Sequence, residues 1–306
     1  MNQIAFFRKN GYYKTPRGIQ IELTTKCPLS CPQCYKDNAG SENIDFDYLK
    51  SLLYRQKEAG LKSVMLNGGE PLLYPHFFEL LEFLGELEIR ANCFSSGVSI
   101  NDVSAAKLKK YENLFLNISL NGSTRHVNSL SRDGYFQAMN SIKALKDANV
   151  KFGINWVARK DNVYDFKNII GVAEKNKASN ILIVGNKYTS AGNMNSRLDY
   201  NELIYLNDII SDYKKKKGKV QLLIQQCFLE LRNLQFKDEL EINRGCPAGR
   251  IFCSVDHNGM FMPCTHIAKY ERFDSVNEYW EKSKQLNIIR NMTKSFIHPT
   301  CAEKIE

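Results

Sequence analysis

Two hydrophobic rhythms take turns along the first two-thirds of the chain. Short apolar or alternating runs occupy residues 19–23, 63–66, 91–94, 114–120, 151–157 and 181–184. Between them, apolar residues recur three and four apart: Phe46, Leu49, Leu52 and Leu53 within 45–59, then Phe78, Leu81 and Leu84 within 75–87. Further helical stretches are expected at 103–111, 134–148, 163–175 and 201–213. A period of two sends side chains to alternate faces of a strand, whereas a spacing of three and four lines one side of a helix. Gly60, just after the first helical stretch, reads as a C-cap. Six strand–helix pairs imply a parallel sheet with right-handed crossovers. The expected fold is therefore α/β, a partial (β/α)6 TIM-type barrel with a small C-terminal module.

In such a barrel the loops that follow the strands form the working face. Four segments with chemistry or turn character fall there: the loop after residue 23, residues 67–71, residues 95–97 and the pair Asn121-Gly122. Beyond residue 190 the rhythm changes. A loop at 192–195, a lysine run at 214–217, a strand at 220–224 and helical text at 275–292 are expected. The predicted organisation is a core at 1–190 and a linker helix with a C-terminal module at 191–306. There is no internal repeat.

Composition narrows the class. A chain of 306 residues with 43% hydrophobic residues can bury a sizeable core. It has no apolar run of eighteen, and its first ten residues are too weakly apolar for a signal peptide. A cytoplasmic location without membrane association is the expectation. Nine cysteines without a secretion signal point to metal or redox use rather than disulfides. The net charge of +9 suits an acidic peptide or an anionic small molecule. The lysine run reads as a solvated turn without basic–aromatic interleaving, so nucleic acid is not the expected partner.

The cysteines supply the chemistry. Cys27, Cys31 and Cys34 are spaced C-x3-C-x2-C with no fourth cysteine nearby. A cluster of four irons held by three thiolates keeps one iron open to a ligand that is not protein. A structural zinc site would ordinarily use two C-x2-C pairs or add histidine. Gly68-Gly69-Glu70-Pro71 closes the second strand; two glycines let a backbone lie close to a ligand, and the glutamate offers acceptors to an ammonium group. Alone, that segment would be an ordinary turn. Cys93 and Cys227 stand apart and read as buried small hydrophobes.

With these motifs in this order, the chain resembles the radical S-adenosylmethionine (radical SAM) enzymes along essentially its whole length. The resemblance implies that Cys27, Cys31 and Cys34 hold a 4Fe–4S cluster whose open iron is chelated by S-adenosylmethionine. It implies reductive cleavage to methionine and a 5′-deoxyadenosyl radical that takes a hydrogen atom from substrate. Gly68, Gly69 and Glu70 match the segment that holds the methionyl amine, Ser119 a serine near the ribose or carboxylate, and Arg132 an arginine that pairs with the carboxylate. Ser95 and Ser96 stand where many relatives have Thr-Asn-Gly. Gln33 replaces an aromatic and Asn121 a commoner aspartate, which puts adenine stacking and one polar contact in doubt.

The stretch from Cys246-Pro-Ala-Gly249 to Pro263-Cys264 resembles the opening of a SPASM or twitch module. One auxiliary iron–sulfur cluster is implied, with Cys246, Cys264 and Cys301 as ligands and Cys253 either a fourth ligand or a packed thiol. Only five residues follow Cys301, so a second auxiliary cluster is not expected. His257 and His266 read as turn and surface residues.

The expected function is oxidative modification of a substrate, foremost a ribosomally made peptide receiving a carbon–carbon or thioether crosslink. The expected partners are a reductant such as flavodoxin or ferredoxin and a separate leader-peptide-binding protein, because residues 1–18 are too short to form a recognition domain. A small-molecule dehydrogenase acting on a sugar or aminocyclitol is the alternative among enzymes. A zinc- or cluster-binding nucleic-acid regulator is the alternative from another class. No catalytic acid or base stands out.

Overall fold

The computed structural model describes residues 3–36, 40–187, 196–235, 246–267 and 269–294. In chain order the elements begin with α1 (Gln3–Asn10), β1 (Gly18–Glu22), α2 (Phe46–Glu58), β2 (Ser63–Asn67), α3 (Phe77–Glu86), β3 (Arg90–Ser95) and α4 (Asp102–Leu108). They continue through β4 (Leu114–Ser119), α5 (Arg125–Ser129), α6 (Tyr135–Asp147), β5 (Phe152–Ala158), α7 (Phe166–Lys175), β6 (Asn180–Gly185) and α8 (Tyr200–Lys215). The last are β7 (Gln221–Ile224), α9 (Leu229–Gln235), β8 (Phe252–Val255), β9 (Phe261–Met262), α10 (Val276–Lys282) and α11 (Lys284–Lys294). All six expected strand–helix pairs are present. The expected loop at 192–195 and Cys301 lie outside the described residues.

Contacts divide the chain into two compact units, one of residues 1–27, 36–93 and 240–306, the other of residues 28–35 and 94–239. This grouping does not follow a boundary at residue 190. The reason lies in β8, which pairs in parallel with β1, Gly18 opposite Phe252 and Ile21 opposite Val255.

In the first unit the strand order is β9-β8-β1-β2-β3, with only the β8–β9 pair antiparallel. Alternation divides this sheet into two chemically distinct faces. Ile19, Ile21, Val64, Leu66, Ala91, Cys93, Cys253 and Val255 are all essentially inaccessible. Their neighbours in sequence carry Gln20, Glu22, Met65, Asn92 and Ser254. Across this second face the Ser254 hydroxyl donates to Gln20 Oε1 at 2.8 Å.

In the second unit β4-β5-β6-β7 run parallel. Trp156 is fully buried and its ring centre lies 4.5 Å from that of Phe166.

The helical text at 275–292 resolves into two helices. Ser283 leaves the helical conformation at the end of α10, with ψ 123, and its Oγ accepts from Leu286 N–H at 3.1 Å. A serine that caps a new first turn ends one helix and starts another. The sequence reading missed α1, α5 and α9, which are short and weakly periodic. Among the described residues no helix is long and apolar enough to cross a membrane.

Candidate functional site

In the first unit, the Gly68-Gly69-Glu70 segment is stitched to the chain just ahead of Cys27. Gly69 N–H donates to Thr24 O at 2.7 Å and Glu70 N–H to Lys26 O at 2.8 Å. Gly68 has φ +139, a region that favours glycine. A Cβ on Gly68 would collide with Thr24 O, and one on Gly69 would lie 2.6 Å from the Lys26 carbonyl carbon. The close approach these glycines permit is therefore to residues 24–26.

Glu70 is fully buried, and its carboxylate accepts from Leu72 N–H at 3.4 Å at the start of a short 3-10 turn, Pro71–Leu73. Burial pushes the Cys93 thiol well above its usual range, with the Glu70 charge adding to the effect. Cys93 is thus the packed thiol expected. Glu22, the last residue of β1, is buried and ion-paired with Lys36. Burial raises its carboxyl, and Lys36 opposes the rise. Sequence reasoning missed this pair; a carboxylate closing an otherwise apolar strand was the available signal.

The second unit holds Cys31 and Cys34, both half-buried, with Cys34 N–H donating to Cys31 O at 2.9 Å. Ser30 N–H donates to Asp133 Oδ2 at 3.0 Å and Gln33 N–H to Ser131 O at 3.1 Å. Burial raises the Cys31 thiol, and the Arg132 charge opposes it. Arg132 Nε is buried without a hydrogen-bond partner, a cost that an anionic ligand would relieve.

Ser119 is buried and paired in register with Asn155, whose buried Oδ1 also lacks a hydrogen-bond partner. The Ser95 and Ser96 hydroxyls accept from Gly97 N–H at 2.9 Å and Val98 N–H at 3.4 Å, holding their own turn. The lone Cys227 is half-buried, with Lys187 Nζ 3.0 Å from its sulfur.

Cys246, Cys253 and Cys264 belong to the first unit. Cys264 is buried with Ala248, Ile267 and Ile289, and Cys246 and Phe252 pack against this group. In an alternating strand, Cys253 turns away from Phe252. It is fully buried, and desolvation pushes its thiol up to about 12. Arg250 and Arg290, both buried, donate through Nε to Gly11 O at 2.6 Å and Gly249 O at 2.7 Å. His257 lies in a turn, as expected, and is half-buried with its Nε2 3.1 Å from the Glu42 carboxylate.

Among the described residues, no group of three or more His, Cys, Asp or Glu side chains is placed to hold a metal ion. The donor chemistry nevertheless fits a cluster with a polar co-ligand. Thiolates are the usual ligands of iron–sulfur clusters, and Arg132 Nε and Asn155 Oδ1 are buried polar atoms still to be satisfied.

Comparison with known proteins gives a consistent result. The AdoMet-dependent heme synthase of Nitratidesulfovibrio vulgaris is 24% identical over 298 residues, covering 89% of this chain and 80% of the relative. The PqqA peptide cyclase of Xanthomonas axonopodis pv. citri is 25% identical over 289 residues, covering 86% and 72%. Streptococcus suis SuiB, solved bound to its precursor peptide SuiA, matches with a TM-score of 0.80 at 20% identity, over 94% of this chain and 70% of that one. It shares the α/β fold. The sequence profile of the Radical SAM superfamily matches residues 21–173, half of the chain, and the protein belongs to that superfamily.

Proposed function

We propose that the protein is a radical SAM oxidoreductase that removes two electrons from a peptide substrate, forming a carbon–carbon or thioether crosslink. When bound, the 4Fe–4S cluster and S-adenosylmethionine supply the radical that takes a hydrogen atom from the substrate. In this reading Cys27, Cys31 and Cys34 hold the cluster, and Arg132 faces the carboxylate of S-adenosylmethionine. Ser119, at the end of β4, and Ser96, just after β3, complete the cofactor-binding set. Gly68 and Gly69 shape the chain ahead of Cys27, and Glu70 receives the methionyl amine.

The observation that carries the oxidative reading is the packing of Cys246 and Cys264 against one hydrophobic cluster. With Cys301 they would form an auxiliary iron–sulfur centre, a natural acceptor for the substrate's second electron. Cys253 is then a packed thiol, and Cys253→Ser is expected to keep the wild-type iron content after anaerobic reconstitution. Loss of about four irons per chain would return Cys253 to the ligand set.

The peptide substrate is supported by the likeness to the PqqA peptide cyclase and by a net charge of +9 that suits an acidic leader. A separate leader-binding protein and a flavodoxin- or ferredoxin-type reductant complete the proposal. A second reading, a small-molecule substrate, is favoured by relatives named AdoMet-dependent heme synthase that cover about nine-tenths of the chain.

Mass spectrometry separates the two readings. Incubating the reconstituted protein with short peptides encoded beside its gene should yield a product lighter by two hydrogens. Unchanged peptides alongside turnover of a tetrapyrrole would decide for the small molecule.

A further inference from the structure

We propose that Asn121 is a positioning residue for the cluster-binding loop, acting through Gln33. The proposal rests on the assignment of Cys31 and Cys34 as cluster ligands. Asn121 lies just beyond β4 and is fully buried. Its N–H donates to Asn128 Oδ1 at 2.9 Å, and its carbonyl accepts from Trp156 Nε1 at 3.2 Å and Asn162 Nδ2 at 3.0 Å. Its side-chain Oδ1 accepts from Val157 N–H at 3.2 Å, and its Nδ2 donates to Gln33 Oε1 at 2.9 Å and Ser131 Oγ at 2.8 Å.

The orientation of this amide is fixed by chemistry. The Val157 N–H can only donate, so Oδ1 must face it and Nδ2 must face Gln33. Gln33 lies between Cys31 and Cys34 and is held twice, through its own N–H on Ser131 O and through its side chain on Asn121. Asn128 extends the network by donating from Nδ2 to Arg132 O at 2.8 Å. One buried residue, anchored on β5, thus orients both the spacer between two cysteines and the backbone of Arg132.

The contacts to Trp156, Val157, Asn128 and Asn162 would fix Asn121 without the Gln33 arm. That arm reaches only the cysteine spacer, so its role lies with the loop. The two positions at which the chain departs from the family pattern, Gln33 and Asn121, are therefore hydrogen-bonded to each other. Every polar atom of the buried Asn121 is hydrogen-bonded, and a buried residue so satisfied orders its partners.

The test uses the direction of that hydrogen bond. Gln33→Glu still presents an acceptor to Nδ2. Asn121→Asp still accepts from Val157 and allows the Gln33 amide to turn and donate. Each single variant should bind S-adenosylmethionine within about threefold of wild type, because a hydrogen bond survives in each. Combining the two sets carboxylate against carboxylate and should weaken binding at least about tenfold beyond the product of the singles. Gln33→Met leaves one of the two Nδ2 N–H groups without its acceptor, the other staying on Ser131 Oγ, and should weaken binding about tenfold.

The electron paramagnetic resonance spectrum of the reduced, S-adenosylmethionine-bound cluster should change in Gln33→Met and the double variant and be restored in Gln33→Glu. Simple additivity in the double variant would overturn the proposal, as would wild-type affinity and spectrum in Gln33→Met or equal impairment in Gln33→Glu. Failure of the underlying assignment looks different: wild-type protein with full iron content would then neither bind nor cleave S-adenosylmethionine.

Discussion

Replacing Cys27, Cys31 and Cys34 together by alanine is expected to abolish reductive cleavage of S-adenosylmethionine and to lower iron content by about four per chain. The size of the effect follows from the division of labour in cofactor enzymes. The protein orients the reacting groups, but the difficult bond cleavage belongs to the cofactor, so nothing else in the chain substitutes for it. The iron of the proposed C-terminal centre should stay, because Cys246 and Cys264 pack within the first unit around Ala248, Ile267 and Ile289. Iron analysis together with chromatography of 5′-deoxyadenosine checks both halves. Retained cleavage would refute the ligand assignment, and loss of all iron would refute the independence of the C-terminal centre.

Gly68→Ala is expected to destabilise the first unit by on the order of 4 kcal/mol, combining a strained backbone with overpacking. At φ +139 a residue with a Cβ is strained whatever space it has, and here the Cβ also meets Thr24 O. Relieving that clash shifts Gly68 against Thr24, whose carbonyl accepts from Gly69. Iron retention should therefore fall with stability. Gly171 provides the contrast. A Cβ added there meets nothing within 4 Å, and Gly171→Ala in α7 should be neutral or stabilising by up to about 1 kcal/mol. Denaturant midpoints for the two variants check this. Equal midpoints would mean that the Gly68 backbone is not needed.

The periodic part of the fold was legible because burial enforces it. The helix expected at 45–59 is α2, capped by Asp45, whose side chain accepts from Tyr48 N–H, and by Ala59, followed by Gly60 at φ +98. Strands β1 through β6 fell within one or two residues of their expected bounds for the same reason. The return of β8 to pair with β1 was not legible, since its register depends on contacts more than two hundred residues apart in the chain. Local periodicity carries no such information.

At the candidate site, residue types were legible but partners were not. The glycines at 68 and 69 were read as room for a ligand; their closeness is taken up by residues 24–26. Glu22 and Lys36, and the network around Asn121, carry no local sequence signal beyond polarity beside apolar strands. Arg132 was singled out by resemblance, and its unsatisfied Nε now gives it a physical reason to meet an anion. Cys253 was open between a fourth ligand and a packed thiol, and strand alternation sets it on the buried apolar face with Cys93.

The most direct test of the account is the formation of 5′-deoxyadenosine by the wild-type protein. After anaerobic reconstitution, reduction in the presence of S-adenosylmethionine should yield 5′-deoxyadenosine and methionine in equal amounts, from protein carrying about eight irons per chain. Protein with that iron content that leaves S-adenosylmethionine intact, or protein that takes up zinc in place of iron, would contradict the central claim.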